Sequence, residues 1–293
     1  MNLTETLEKI RPCIVQIQSD VQISSRIDDY EFHVPKYEIL GTGFFVHQEG
    51  YVLTADHVID YAFEKASQYP EETIIAIKAG LATPNKDSEQ VGGTKIFLTM
   101  RGCFHMVQCD IVDRDIQHDL ALLKLRENPF TGELKPITLF SFGPESNIDD
   151  VPWDFLYGLS TIFKGRPKEG ADIAVSGYPF ESPVLITNSG IIASSWASRE
   201  SSFNYRTKFV APKMGESPNI YLADFQANPF NSGGPVYLVE NAEIVGLLSS
   251  SLSSHVWDEN YQDVNYCYDS GLSVVIPSTY IIDFLKKNGL DIN

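Results

Sequence analysis

The chain has 293 residues, of which 43% are hydrophobic, and a formal net charge of −17 at neutral pH. This hydrophobic share can fill the core of one large or two small globular domains. Because binding to nucleic acid or an anionic membrane draws on clustered Lys and Arg, we expect neither as a partner. The first residues, 1–5, also lack the basic start and apolar stretch of a signal peptide, and no apolar run approaches the length of a membrane span.

The four cysteines are too few and too scattered for a disulfide framework, so a reducing compartment, taken as the cytoplasm, is the expectation. A zinc site could be imagined from Cys103, His105, Cys109 and His118. Their spacings match no common ligand pattern, and the segment alternates like a β-strand. We therefore predict no metal and no cofactor.

The first half of the chain predicts a short helix followed by β-strands. Residues 2–10 form an amphipathic segment halted by Pro12. Short apolar segments bounded by Gly, Pro, Asn and Asp then recur at residues 14–17, 44–53, 73–77, 95–100, 107–112 and 120–125. A helix over 58–67 is expected between them, because apolar residues repeat at helical spacing before Pro70.

A second set of apolar segments lies at residues 173–176, 183–187, 190–194, 220–223, 236–238, 244–249 and 272–276. The Pro- and Gly-containing stretch 127–145 reads as a bridge between the sets, which divides the chain into domains 1–130 and 131–293. A final helix is predicted to begin at Pro277-Ser278 and to end near Gly289. Many short strands without long helices indicate an all-β barrel or sandwich.

The most informative segment is Asn228-Pro229-Phe230-Asn231-Ser232-Gly233-Gly234-Pro235-Val236, which presents a serine on a glycine-supported turn. Such a run is only a turn in most sequences. Here, however, an apolar segment ends in His57, and Asp119 opens the apolar segment 120–125. A serine hydroxyl needs a base within hydrogen-bond reach, and that base needs a partner that fixes its tautomer. The order His57, Asp119, Ser232 therefore indicates a candidate triad.

Together with segments 10–17, 41–46, 172–179, 189–193, 243–249 and 271–277, these motifs resemble the chymotrypsin-like serine peptidases, and among them the HtrA/Deg branch. The resemblance implies two six-stranded antiparallel β-barrels with the active site in the cleft between them. His57 and Asp119 belong to the first barrel and Ser232 to the second. Val58 stands where secreted relatives carry a disulfide cysteine, and because the sequence ends at Asn293 we expect no PDZ domain.

By the same resemblance, backbone N–H groups of the Phe230-Asn231-Ser232 segment form the oxyanion hole, from Ser232 and from the residue two before it. That earlier residue is normally glycine, and here it is Phe230. A conformation that a Cβ disfavours costs about 1 to 2 kcal/mol, enough to tilt a loop between states. Either the hole is unformed at rest, or Phe230 adopts the needed conformation with modest strain and its ring lines the cleft.

The resemblance also places Gln226 at the floor of the S1 substrate pocket, with Ser249, Ser250 and Ser251 along its wall and Gly271 opposite. A polar, uncharged floor argues against selection of Arg or Lys. Asn231 rather than aspartate precedes Ser232, and no Ile-Val-Gly-Gly sequence follows a basic cleavage site. Activation by a new N-terminus is therefore not expected, and an activating partner protein or the substrate would regulate the site.

These observations predict a serine endopeptidase that hydrolyses protein or peptide substrates through an acyl-enzyme. The alternative is a catalytically silent protease-fold module that binds a peptide or partner protein, because Phe230 breaks the family pattern and no activation device is evident. A third reading is hydrolysis of a non-peptide ester. The oligomeric state stays open.

Overall fold

A computed structural model describes residues 1–27, 30–60, 95–100, 103–126, 128, 130, 158–181, 185–198, 219–257 and 265–291. Four predictions lie wholly or partly outside these residues. They are the strand at 73–77, most of the bridge at 127–145 with the domain boundary inside it, the part of the predicted helix 58–67 that follows residue 60, and the first two residues of the segment 183–187.

The first six strands close into a barrel in the order β1-β2-β3-β6-β5-β4, with antiparallel neighbours throughout. They are β1 (Ile14–Ile27), β2 (Tyr30–His47), β3 (Tyr51–Thr54), β4 (Lys95–Met100), β5 (Cys103–Asp115) and β6 (Leu120–Leu125). Five of the six residues of β6 are buried, as the apolar run at 120–125 predicts. Closure leaves no unpaired edge between β1 and β4.

The second set of six strands closes in the order β10-β11-β12-β9-β8-β7, again antiparallel. They are β7 (Asp172–Gly177), β8 (Ile186–Ser198), β9 (Asn219–Asp224), β10 (Pro235–Leu238), β11 (Ile244–Trp257) and β12 (Asn265–Pro277). The two six-stranded barrels are as predicted. The apolar segments at 183–187 and 190–194 are not separate strands, because β8 runs through both from residue 186 on.

The glycine inside β8 explains this difference. The Asn188-Ser189-Gly190 sequence has turn composition, yet Gly190 continues the strand and pairs with Ile173. A Cβ at Gly190 would lie 1.8 Å from the Asp224 carbonyl oxygen on β9. Glycine stands here because another backbone passes close by, and not because the chain turns.

Short helices flank the barrels. Helix α1 (Leu3–Ile10) begins with a capping box, in which the Asn2 side chain accepts the Glu5 N–H and the Glu5 carboxylate accepts the Asn2 N–H. Helix α2 (Ser278–Lys287) buries Ile281, Phe284 and Leu285. Residues 56–60 are also helical. Among the described helices, none has the length and apolar character required to span a membrane.

Helix α2 also contacts the first barrel. Lys287 Nζ lies 2.8 Å from Asp113 Oδ2 on β5, and the Tyr280 ring stacks on His118 with centroids 4.1 Å apart. One hydrophobic cluster contains residues of both barrels, among them Leu122 and Tyr237. These contacts set the position of one barrel on the other, and hence the width of the cleft.

We predict that Gly190→Ala lowers the free energy of unfolding by about 2 kcal/mol, because the new Cβ forces β8 away from β9. Urea denaturation of the wild type and the variant measures this loss. The matched control is Gly165→Ala, where the Cβ would meet only the Phe163 ring, at 3.3 Å. A Gly190→Ala variant as stable as the control would show that β8 and β9 do not approach as described.

Candidate active site

His57 lies in the helical segment 56–60 that follows strand β3 of the first barrel. Its backbone N–H donates to Asp119 Oδ1 at 3.0 Å, and its ring Nδ1 lies 2.9 Å from Asp119 Oδ2. The ring keeps 29% of its surface exposed. With Nδ1 as the donor to the carboxylate, Nε2 of the neutral ring is the acceptor, which is the arrangement that a general base requires.

Asp119 is the residue directly before β6, and it is completely buried. Its φ of 57° lies in the left-handed region, which aspartate enters more readily than most residues. The carboxylate accepts two hydrogen bonds from His57 and one from Ser249 Oγ at 2.6 Å. A buried charge needs such partners, so the geometry orients the imidazole firmly.

The pKa of His57 is raised above its ordinary value. Burial of the ring works in the opposite direction, but the negative charge and hydrogen bond of Asp119, together with the charges of Asp56 and Asp60, outweigh it. The surroundings of His57 therefore favour its imidazolium form more than water does.

A second carboxylate, Asp56, lies beside His57 and is 3% exposed. Arg114 on β5 holds it through two bonds, one of them from Nη2 to Oδ2 at 2.9 Å, and also binds Asp60. Burial, with the charges of Asp60 and Asp119, raises the pKa of Asp56, and Arg114 opposes this shift. Arg114 thus balances part of the negative charge behind the histidine.

Ser232 follows a tight turn at Asn228–Asn231, closed by the bond from the Asn231 N–H to the Asn228 carbonyl at 3.1 Å. Phe230 has a φ of 71°. Since Pro229 is restricted to a φ near −65°, the turn is of type II, a class that favours glycine at the position Phe230 occupies. Of the three residues predicted to form the oxyanion hole, Asn231 uses its N–H to close this turn, and the assignment of the hole to this segment stays a prediction.

Two glycines bring the loop against the first barrel. Gly233 has a φ of 82°, and a Cβ there would lie 2.1 Å from the Thr42 carbonyl oxygen and 2.2 Å from Thr54 Oγ1. At Gly41, a Cβ would lie 2.9 Å from the Ser232 carbonyl oxygen. The Thr42 N–H donates to that same carbonyl at 2.9 Å. The loop of the second barrel is therefore seated on β2 and β3, on the side where His57 emerges.

The Ser232 hydroxyl is not bonded to His57. Its Oγ donates to the Ser249 carbonyl at 3.1 Å. Ser249, which the sequence places on the pocket wall, is 1% exposed and directs its own hydroxyl to Asp119. The same residue thus accepts the hydrogen bond of Ser232 and donates one to Asp119. The Ser232 hydroxyl would have to turn away from the Ser249 carbonyl before it could donate to His57.

The other predicted pocket residues lie on or next to neighbouring strands of the second barrel. Gln226 comes two residues after β9 and is exposed, and Ser251 on β11 is exposed as well. Ser251 pairs with Ser273 on β12, two residues after Gly271, whose φ is 76°. The Ser250 Oγ is buried and has no hydrogen-bond partner among the described residues. The assignment of these residues to the S1 pocket stays a prediction.

The residues considered above for a zinc site make other contacts, or are buried, where the structure describes them. Cys109 is buried, and His118 Nδ1 lies 2.7 Å from Asp115 Oδ2. The side chains of Cys103 and His105 are outside the described residues. No group of three or more His, Cys, Asp or Glu in the described part of the chain is arranged to hold a metal ion.

Sequence reasoning missed the supporting contacts. Asp56, Arg114, Thr42 and the bond from Ser249 to Asp119 carry no motif, because each depends on a partner distant in the chain. Only Asp56 has a local signal, as an acidic residue directly before the candidate base. Asp113 and Asp115, the nearby acidic residues, pair instead with Lys287 and His118.

Comparison with family models matches residues 41–247 to the trypsin-like peptidase domain, and the chain belongs to this family. Among solved structures, the HtrA-type protease AlgW with decapeptide aligns with a TM-score of 0.56 at 15% identity, covering 99% of this chain and 69% of that one. The Rv3671c protease of M. tuberculosis, in an inactive form, aligns with a TM-score of 0.52 at 15% identity, covering 97% and 92%. At these identities the likeness shows the shared fold. Comparison with curated proteins finds no significant match.

We predict that Asp119→Asn lowers the pKa of His57, because it removes the nearest negative charge and keeps the shape of the side chain. NMR titration of the ring protons measures the shift, with the His57 signal identified by its loss in a His57→Gln variant. The wild-type ring should titrate above about 6.5.

The linked effect on stability has a defined sign. A raised pKa contributes stability that is fully present below the ordinary histidine pKa and is lost as pH rises through the raised value. Urea unfolding should therefore show the wild type losing stability relative to Asp119→Asn across that interval. Equal His57 titration in the two proteins would contradict the described ion pair.

Proposed function

We propose that the chain is a serine endopeptidase in which Ser232 is the nucleophile, His57 the general base and Asp119 the group that orients the base. The observation that carries this proposal is the bond from His57 Nδ1 to the fully buried Asp119, with Ser232 held on the facing barrel. If the pair of His57 and Asp119 served only stability, it would require neither an exposed His57 ring nor the Ser232 turn beside it. Membership of the trypsin-like peptidase family supports the same assignment.

In the first chemical step the Ser232 side chain rotates away from the Ser249 carbonyl, and Oγ attacks the scissile carbonyl carbon. Its proton passes to His57 Nε2, and the imidazolium is stabilised by Asp119. The tetrahedral oxyanion is placed toward the N–H groups of Phe230 and Ser232. The C–N bond then breaks, His57 protonates the leaving amine, and the acyl group stays on Ser232.

In the second step water replaces the amine. His57 takes a proton from the water as it attacks the acyl carbon. The bond between the acyl carbon and Ser232 Oγ then breaks, Oγ receives the proton from His57, and the acyl group leaves as a carboxylic acid, which restores the free enzyme. This chemistry needs no cofactor. The solved AlgW structure holds a decapeptide, and this supports a peptide or protein as the substrate class here.

A catalytically silent peptide-binding module is the second candidate. It is favoured by one observation, the resting bond of Ser232 to Ser249 instead of to His57. The same bond is compatible with an enzyme whose substrate or partner protein induces the rotation, and we propose regulation at this step. We further propose a reducing, cytoplasmic setting, because Cys13 and Cys109 are buried thiols that are not joined in a disulfide.

We predict that a fluorophosphonate probe labels the wild type at Ser232 and leaves Ser232→Ala unlabelled, because only an activated serine reacts. Turnover of casein should fall below detection in Ser232→Ala and by about 10,000-fold in Asp119→Asn. The matched control is Thr279→Ala, which removes an exposed hydroxyl on α2 and should leave labelling and turnover unchanged.

Thermal melts of the variants are the control that tests whether each remains folded. Peptide mapping of the labelled wild type identifies the modified residue. A folded wild type that binds peptide yet takes up no label would favour the silent module over the enzyme.

A further inference from the structure

Phe230 holds a left-handed backbone conformation that a residue with a Cβ disfavours. The conformation depends on the orientations of two peptide planes. The plane before Phe230 carries the Pro229 carbonyl and sets φ, and the plane after it carries the Phe230 carbonyl and sets ψ. A contact that fixes both carbonyls would hold the residue against its own preference.

Both carbonyls are hydrogen-bonded to other parts of the chain. The Pro229 carbonyl accepts the Phe180 N–H at 3.1 Å, and the Phe230 carbonyl accepts Thr42 Oγ1 at 3.0 Å. In a trans peptide the C=O and N–H point in opposite directions. The bond from Phe180 therefore directs the Phe230 N–H to the other face of the turn.

Thr42 lies on β2, is completely buried, and connects three elements. Its hydroxyl donates to Phe230 and accepts the Tyr178 N–H at 3.1 Å, while its N–H donates to the Ser232 carbonyl. Tyr178 begins the turn that contains Phe180, whose own φ is 53°. The hydroxyl of Thr42 thus bonds directly to the Phe230 carbonyl. Through Tyr178 it also positions the turn whose Phe180 N–H bonds the Pro229 carbonyl.

We propose that Thr42 is a positioning residue whose hydroxyl, with the Phe180 N–H, holds Phe230 in the conformation that forms the oxyanion hole. The proposal rests on the serine peptidase function proposed above. It explains how this chain keeps phenylalanine where that conformation favours glycine. The two hydrogen bonds offset the conformational cost of a positive φ, a cost that glycine would not have.

The test compares the rates of fluorophosphonate labelling and peptide hydrolysis in four proteins. Thr42→Val keeps the β-branched shape and loses the hydroxyl, and we expect labelling and kcat to fall about tenfold or more with KM little changed. Thr42→Ser keeps the hydroxyl and should stay within about threefold of the wild type. Phe230→Gly in the Thr42→Val background should recover most of the rate, because glycine reaches positive φ without a clamp.

The recovery separates positioning from a general structural role, since a disrupted barrel junction would not be repaired at Phe230. Labelling of Thr42→Val at the wild-type rate would overturn the proposal and leave the peptidase function intact. The same conclusion would follow if Thr42→Val were labelled slowly and the added Phe230→Gly change did not restore the rate. If the wild type takes no label, the peptidase function fails, and a crystal structure of Thr42→Val decides this proposal. A Phe230 φ that stays positive there overturns it, and a φ that turns negative supports it.

Discussion

The cleft of this protein depends on the hydrogen bonds that Thr42 makes from the first barrel to the loop of the second barrel that carries Ser232. Its N–H binds the Ser232 carbonyl, its hydroxyl binds the Phe230 carbonyl, and its own carbonyl accepts Thr54 Oγ1 at 2.7 Å. The loop can approach this closely only because Gly233 has no Cβ to meet the Thr42 carbonyl. One strand of one barrel thereby sets where the serine of the other barrel stands.

A second set of contacts across the cleft surrounds the Asp119 carboxylate. His57 binds it from the first barrel and Ser249 from the second, so the buried charge is satisfied only when both barrels are in place. An unpartnered carboxylate in this position would cost several kcal/mol. Docking of the second barrel therefore completes the hydrogen bonding of the carboxylate that orients His57.

Many strands of the fold were predictable because they carry their own apolar pattern. The run at 120–125 coincides with β6, and the runs at 220–223 and 236–238 lie within β9 and β10. The continuous β8 was not predictable, since Gly190 resembles a turn residue until Asp224 is known to pass beside it. The geometry of Phe230 was left open for the same reason, because the bonds from Thr42 and Phe180 come from segments distant in the chain.

The sequence by itself determined the all-β class, two successive sets of short apolar segments and the order of His57, Asp119 and Ser232, because alternation, turn composition and short motifs are local properties of the chain. The tertiary structure alone decided that Ser249 serves Asp119, that Ser232 rests on the Ser249 carbonyl, and that Phe230 stands at positive φ. Each of these facts is a hydrogen bond, or the result of one, between residues separated by 17 to 188 positions. No local pattern encodes such a bond, since it exists only when segments distant in the chain have folded together.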